Sequence, residues 1–269
     1  MHNLLTDIPG IRVGNAHDET VVTGVTAVVF DTTTVASGVT HGGAPGSRDT
    51  ALLEPEMTIP GVDAVVLSGG SLFGLDAAGG VVAWLRCQGR GGRIGGFNIP
   101  IVSQAIVFDL LNGGDKTWER QPPYWDLGWR AAECAAAGPF ALGSSGGGFG
   151  ATTANLRGGL GSASAATPSG YTVGALAVVN AVGTATIGEG PYFWAAPWEV
   201  GCEFGGRGLP ERIPAEALTL RMKGAAPPST TIAVVVTDAK LTKIEAKRVA
   251  IMADGGLSRA LRPAHAPMD

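Results

Sequence analysis

Charge is scarce in this chain. Only 16% of its 269 residues are Asp, Glu, Lys or Arg, and no Lys/Arg-rich run is present. With a net charge of −4 and a sequence pI of about 5.6, it lacks the basic face that a nucleic-acid binder needs. Long apolar runs are missing too. Gly, Pro or charge interrupts each one well short of the ~18 residues that span a bilayer, so no membrane partner is expected. The N-terminus, Met1 to Asp7, has no basic region followed by an apolar one, so no secretion signal is visible and a cytoplasmic protein is expected. Cysteine is sparse: Cys87, Cys134 and Cys202 are an odd, scattered set that fits reduced, buried thiols better than a disulfide framework. His2, His17, His41 and His265 are far apart, and neither H-E-x-x-H nor C-x-x-C occurs. No metal and no cofactor are expected.

What is abundant is apolar residues, at 45%, and glycine, at 42 residues. The glycines follow no collagen-like period and are interleaved with apolar runs. They read as close backbone packing and special turns in a sheet-rich globular fold. The length suits one large domain, 1–269, with a substantial core.

Several elements are readable. Val21 to Asp31 alternates like a strand, and Val62 to Leu67 is a short continuous apolar run expected of a buried one. Leu75, Ala78, Val81, Val82 and Leu85 form a helical stripe, weakened by Gly79-Gly80. Ile99 to Leu110 is extended and apolar. Tyr124 to Ala137 reads as a helix stopped by Gly138-Pro139. Tyr171 to Asn180 and Thr230 to Thr237 are the most convincing buried strands. The last helix starts at Leu241, with Thr242 and Glu245 in capping-box spacing and Leu241 with Ala246 as a small staple. Its apolar side would be Ile244, Val249, Met252, Leu257 and Leu261, and Pro263 ends it. Gly205 to Pro228, rich in Gly and Pro, is the one plausible linker. Strands with helices between them predict an α/β layered fold.

Candidate chemistry falls in three places. Gly143-Ser144-Ser145-Gly146-Gly147 matches G-x-S-x-G, which would make Ser145 a nucleophile with His265 as base. The motif needs a strand before and a helix after, yet glycine continues to Gly150, so a tight loop lining a cavity is the alternative. The segment lacks the Lys-Ser/Thr ending of a phosphate loop, and nucleotide binding is not expected. Asn180, after Ala177-Val178-Val179, is an odd place for an amide. It either caps a turn or offers an N–H to a developing oxyanion, where such a donor is worth a few kcal/mol. Finally, the loop through Pro227-Pro228-Ser229 runs into Thr230 and a strongly β-forming segment. Two threonines there can simply open a strand. It is also where a self-cleaving hydrolase would place a threonine that later becomes an N-terminal nucleophile.

Blocks along the whole chain, in order, decide between these readings. They are Asp7 to Asn15 (DIPGIRVGN), Gly42 to Thr50 (GGAPGSRDT), Leu67 to Leu75 (LSGGSLFGL), Pro100 to Asp109 (PIVSQAIVFD), Gly158 to Ser164 (GGLGSAS), Val178-Val179-Asn180, the Thr230 strand, and Arg262 to Asp269 (RPAHAPMD). Together they resemble the L-aminopeptidase/D-esterase family of autoprocessing hydrolases, which includes β-peptidyl aminopeptidases and the endo-type nylon-oligomer hydrolases.

That resemblance implies an αββα four-layer sandwich of the N-terminal-nucleophile type with distinct connectivity. It implies cleavage of the Ser229–Thr230 bond, leaving a large chain 1–229 and a small chain that begins at Thr230. Thr230 would be the nucleophile and, through its freed amine, the base. Asn180 would stabilise the oxyanion, and Asp269 would belong to an acidic pair orienting the nucleophile. A threonine nucleophile looks more like the nylon-oligomer hydrolases than the aminopeptidases. The substrate would be a small amide, peptide or oligoamide, and the assembly a homo-oligomer. Three departures stand out. Asn155, after Ala154, occupies a loop where the nylon-oligomer hydrolases carry a lysine. Phe108 replaces a tyrosine of some members. The family continues past the position of Asp269 with a second acidic residue. Two rival expectations stay open: an acyltransferase resembling the ornithine acetyltransferases, and an uncleaved, catalytically silent binding or assembly subunit. Phe193, Trp194 and Trp198 cluster in sequence and are candidates to line a substrate cavity.

Overall fold

The computed structural model describes residues 1–224 and 228–267. Its frame is two packed sheets. The first holds β1 (Ile11–Asp18), β2 (Thr23–Thr34), β3 (Ser47–Arg48), β4 (Val62–Ser68) and, after a small separate hairpin of β5 (Gly92–Ile94) and β6 (Phe97–Ile99), β7 (Val102–Ile106), in the order β1-β2-β4-β7-β3. β4 and β7 run parallel and every other pair in the sheet is antiparallel. The second sheet is antiparallel throughout, with β9 (Thr172–Asn180) between β8 (Gly159–Ala166) and β10 (Thr230–Thr237).

Two apolar cores follow from this arrangement. Between the sheets lie Val28, Phe30, Val62, Leu67 and Val107 of the first, against Leu160, Leu176 and Val178 of the second, with Ile232, Val234 and Val236 packed alongside. On the other face of the first sheet sit α1 (Ala77–Cys87) and α2 (Tyr124–Glu133), which bury Ala77, Val81, Leu85, Tyr124 and Leu127 against Val25, Ala27, Val66 and Val102. The glycines that weaken α1 as a sequence prediction explain how these helices pack. A Cβ on Gly80 would lie 2.0 Å from the Trp125 carbonyl oxygen, and one on Gly128 would lie 2.0 Å from that of Ala77. The helices approach closer than any side chain allows, and tertiary packing outweighs the ~1 kcal/mol helical cost of glycine.

α3 (Lys243–Ala260) opens with the expected capping box: the Glu245 N–H donates to Thr242 Oγ1, and Thr242 N–H donates to a Glu245 carboxylate oxygen at 2.8 Å. Its C-terminal end, Leu257, Ala260 and Leu261, packs with Val179 and Ala181 behind β9. Four expectations need correction. Ile244 and Met252 are not on the packed side of α3 but 66% and 72% exposed, because only the last turn meets the sheet. α2 stops at Glu133 rather than Ala137, as the chain turns to bridge Ala136 to Val13 of β1. The run from Ile99 to Leu110 is not one extended piece but β6 and β7 separated at Pro100. All three cysteines are exposed rather than buried.

Candidate active site

β9 and β10 pair so that Asn180 stands opposite Thr230. Along β10 the alternate residues Ile232, Val234 and Val236 face the inter-sheet core, as do Leu176 and Val178 along β9. The period of two therefore turns both Thr230 and Asn180 inward, and directly opposed side chains in an antiparallel pair have Cβ atoms about 4.5–5.5 Å apart. Thr231 opposes Val179 and faces the other side, where its hydroxyl is buried with no hydrogen-bond partner among the described residues. Ser229, just before Thr230, is 1% exposed.

Asn180 is fully buried, and its amide is held on three sides. Nδ2 donates to the Phe108 carbonyl at 2.8 Å, and Oδ1 accepts from the Thr152 N–H at 3.0 Å and from Lys223 Nζ at 3.1 Å. None of these three contacts is the local turn cap that sequence allowed as an alternative. They reach instead to the segment just past β7 and to two loops. With Oδ1 carrying two donors and Nδ2 one acceptor, the second Nδ2 hydrogen has no acceptor among the described residues.

The Phe108 carbonyl is itself fixed by its neighbour. Asp109, 2% exposed, accepts 2.7 Å hydrogen bonds from Thr23 Oγ1 and from the Gly70 N–H. Burial pushes its carboxyl above the usual range, against the opposing pull of those two bonds and of the nearby Lys116 ammonium. Gly70 has a left-handed φ of +88°, and a Cβ there would meet the Tyr124 ring at 2.1 Å. The Gly69-Gly70 turn after β4 therefore admits glycine only.

The remaining expected residues fall in different places. Asn155 sits in the loop closed by the Thr152–Arg157 bridge, and its Nδ2 donates to Thr186 Oγ1 at 2.9 Å while its Oδ1 is buried with no partner among the described residues. From this loop it is Thr152, three residues earlier, that makes the contact to Asn180. Asp269 lies outside the described residues. Ser145 is 5% exposed and is followed by a 3-10 turn, Gly146–Gly148, rather than a helix, so the setting of a nucleophile elbow is not present. His265 Nε2 lies 3.0 Å from Asp254 of α3. The three aromatics are engaged separately: Phe193 against Phe204, Trp194 under Arg262, and Trp198 under Arg259. Sequence reasoning missed Lys223, which lies inside the Gly/Pro-rich stretch. No local signal marks it, because it is brought in only by the path of the chain returning to β10. Among the described residues no cluster of His, Cys, Asp or Glu could hold a metal ion, and no helix is long and apolar enough to cross a membrane.

This architecture defines a class. It is similar to the L-aminopeptidase D-Ala-esterase/amidase of Ochrobactrum anthropi, described as a prototype of the serine aminopeptidases and a variant of the Ntn-hydrolase fold. The TM-score is 0.68 at 22% identity, over 97% of this chain and 70% of that one. A Burkholderia β-aminopeptidase matches with a TM-score of 0.64 at 22% identity, over 97% and 68%. The fold is therefore the mixed α/β fold of these Ntn-type aminopeptidases. The family is shown by sequence: residues 3–269 match the model of peptidase family S58, and the chain belongs to that family. An uncharacterised aminopeptidase of Mycobacterium tuberculosis is 43% identical over 99% of this chain and 79% of its own. A 6-aminohexanoate-oligomer endohydrolase of Agromyces is 27% identical over 98% and 71%.

Proposed function

We propose that this chain is an autoprocessing amidohydrolase that cuts its own Ser229–Thr230 bond and then uses Thr230 as an N-terminal nucleophile on peptides or small oligoamides. The observation that carries this reading is the register of β10 on β9, which sets Thr230 beside a buried Asn180 with one amide hydrogen left to give. Membership of peptidase family S58 and the named aminopeptidase and oligoamide-hydrolase relatives support the reaction class.

In the precursor, Thr230 Oγ adds to the Ser229 carbonyl carbon. The C–N bond breaks, the nitrogen takes up a proton, and an ester to Oγ remains. Water opens that ester, leaving the Ser229 carboxylate and a free Thr230 amine and hydroxyl. An α-amino group has an unperturbed pKa of about 7.7–8.0, so near neutrality enough of it is unprotonated to take the hydroxyl proton when a substrate amide is attacked. Asn180 would donate to the oxyanion in both steps, a contribution of roughly 3 kcal/mol. Asp269 would orient the amine. Asn155 would support the loop that carries Thr152, and the layers would complete an αββα sandwich with α3 outermost. We also propose that the chain assembles as a homo-oligomer.

Intact mass of purified protein tests the reading. Two fragments meeting at Ser229/Thr230 in the parent, and one chain in Thr230→Ala, are expected. A single uncut chain in both would leave no N-terminal amine and would turn the assignment toward a silent binding subunit.

A further inference from the structure

We infer that Lys223 is a positioning residue for Asn180, holding its amide in the donating orientation and strengthening its free N–H. The inference rests on the function proposed above and adds a residue to it.

Lys223 belongs to the strap that leads from the 3-10 turn Ala215–Leu218 to β10. Its backbone N–H donates to the Val182 carbonyl at 2.8 Å, which pins the strap just past the end of β9. Its Nζ then reaches back to Asn180 Oδ1 at 3.1 Å, beside the Thr152 N–H at 3.0 Å on the same oxygen. The oxygen was already satisfied by Thr152, so the ammonium is not needed to avoid a buried orphan.

A cation at this oxygen does two things to the amide. It forbids the flipped rotamer, which would set NH2 hydrogens against an ammonium and an oxygen against the Phe108 carbonyl. It also draws electron density toward Oδ1, so the remaining Nδ2 hydrogen becomes a stronger donor; hydrogen bonds to charged groups are roughly twice as strong as neutral ones, and chains of them polarise one another. Asn180, Thr152, Val182 and Lys223 all precede Ser229. The contact therefore lies wholly within the fragment 1–229 and does not depend on the bond to Thr230 being intact, so it serves self-cleavage and turnover alike.

Two measurements test this. Self-cleavage is followed after cell-free synthesis in the parent, Lys223→Met, Lys223→Arg, Asn180→Ala and the Asn180→Ala/Lys223→Met double variant. Lys223→Met should slow cleavage roughly tenfold, Lys223→Arg should recover most of the rate, and adding Lys223→Met to Asn180→Ala should change it less than about twofold. A merely structural lysine would give additive losses in the double variant, and that result, or Lys223→Met cleaving at the parental rate, overturns the inference. Should Lys223→Met fail to fold, Lys223→Gln is judged by the same criteria. The second measurement does not need cleavage. In Thr230→Ala protein with labelled asparagine, the Asn180 side-chain amide resonance, identified by its loss in Asn180→Ala, should move in Lys223→Met and return in Lys223→Arg. An unmoved resonance sinks the inference even if processing is confirmed. A moved resonance in a chain whose parent never cleaves supports the positioning role and removes the proposed reaction instead.

Discussion

Asp109 shows how the residue scale works here. Its carboxylate is buried, yet it holds the Gly70 N–H and the Thr23 hydroxyl, and by doing so sets the Phe108 carbonyl that anchors Asn180. Asp109→Ala leaves two buried donors unpaired, and a loss of roughly 3 kcal/mol is expected from denaturant unfolding in a Thr230→Ala background. Asp109→Asn keeps an acceptor for Gly70 and should cost about 1 kcal/mol. A result in which the two variants are equal would mean that the carboxylate is not the group holding this turn. Nothing in the Val107-Phe108-Asp109 segment announces this as sequence. The aspartate is legible only as part of a block resembling a family. Its partners Gly70 and Thr23 are dozens of residues away, and tertiary structure alone brings them to it. Lys223 is a stronger case, since a lysine followed by Gly224 in a Gly/Pro-rich stretch reads as a solvated loop.

Elements were legible in proportion to their side-chain bulk. β4, β9 and β10 are rich in Val, Ile and Leu, and packing against helices or a second sheet leaves them little choice of conformation; β10 is nonetheless half-buried along its length rather than the buried strand its sequence suggests. β8, Gly159–Ala166, gives no strand signal of its own because it is almost wholly Gly, Ser and Ala, residues of low β-propensity. It is a strand because β9 offers eight ladder partners. The N-terminal segment is tied to β8 in turn. Asp7 accepts from the His2 N–H, from Ser164 Oγ and from the Leu4 N–H, and these bonds hold its carboxyl well below the usual carboxylate range. A group whose folded pKa is depressed stabilises the fold above its unfolded value, near 3.9, and loses that contribution as pH falls through the folded value. Asp7→Asn should therefore lower the unfolding midpoint at pH 7, with the deficit shrinking below about pH 4. A deficit that stays constant with pH would locate the effect outside ionisation.

At the scale of the molecule, the question is what would hold 1–229 and the segment from Thr230 together after the proposed cut. β10 is zipped to β9 over its whole length, from Thr230 opposite Asn180 to Thr237 opposite Val173. α3 is clamped at its other end, where Lys243 donates to the carbonyls of Leu52, Met57 and Ile59, and Lys247 pairs with Glu54 at 2.6 Å. We expect both fragments to elute as one species under native conditions and to separate only in denaturant. Elution apart in buffer would show that these contacts do not suffice. The Lys247–Glu54 pair is partly exposed and contributes at most about 1 kcal/mol, so Lys247→Ala alone should not release the small fragment.

The pairing of β10 with β9 also acts as a ruler. Because side chains alternate along a strand, a one-residue slip would turn Thr230 outward and bring Thr231 to the place beside Asn180. The position of the proposed cut is therefore counted from the strand, outward from Ile232, Val234 and Val236 in the core, and not from the proline-rich approach. Residues added ahead of Ser229 would leave the cut at the same threonine. A residue added within β10 would move it to a different one.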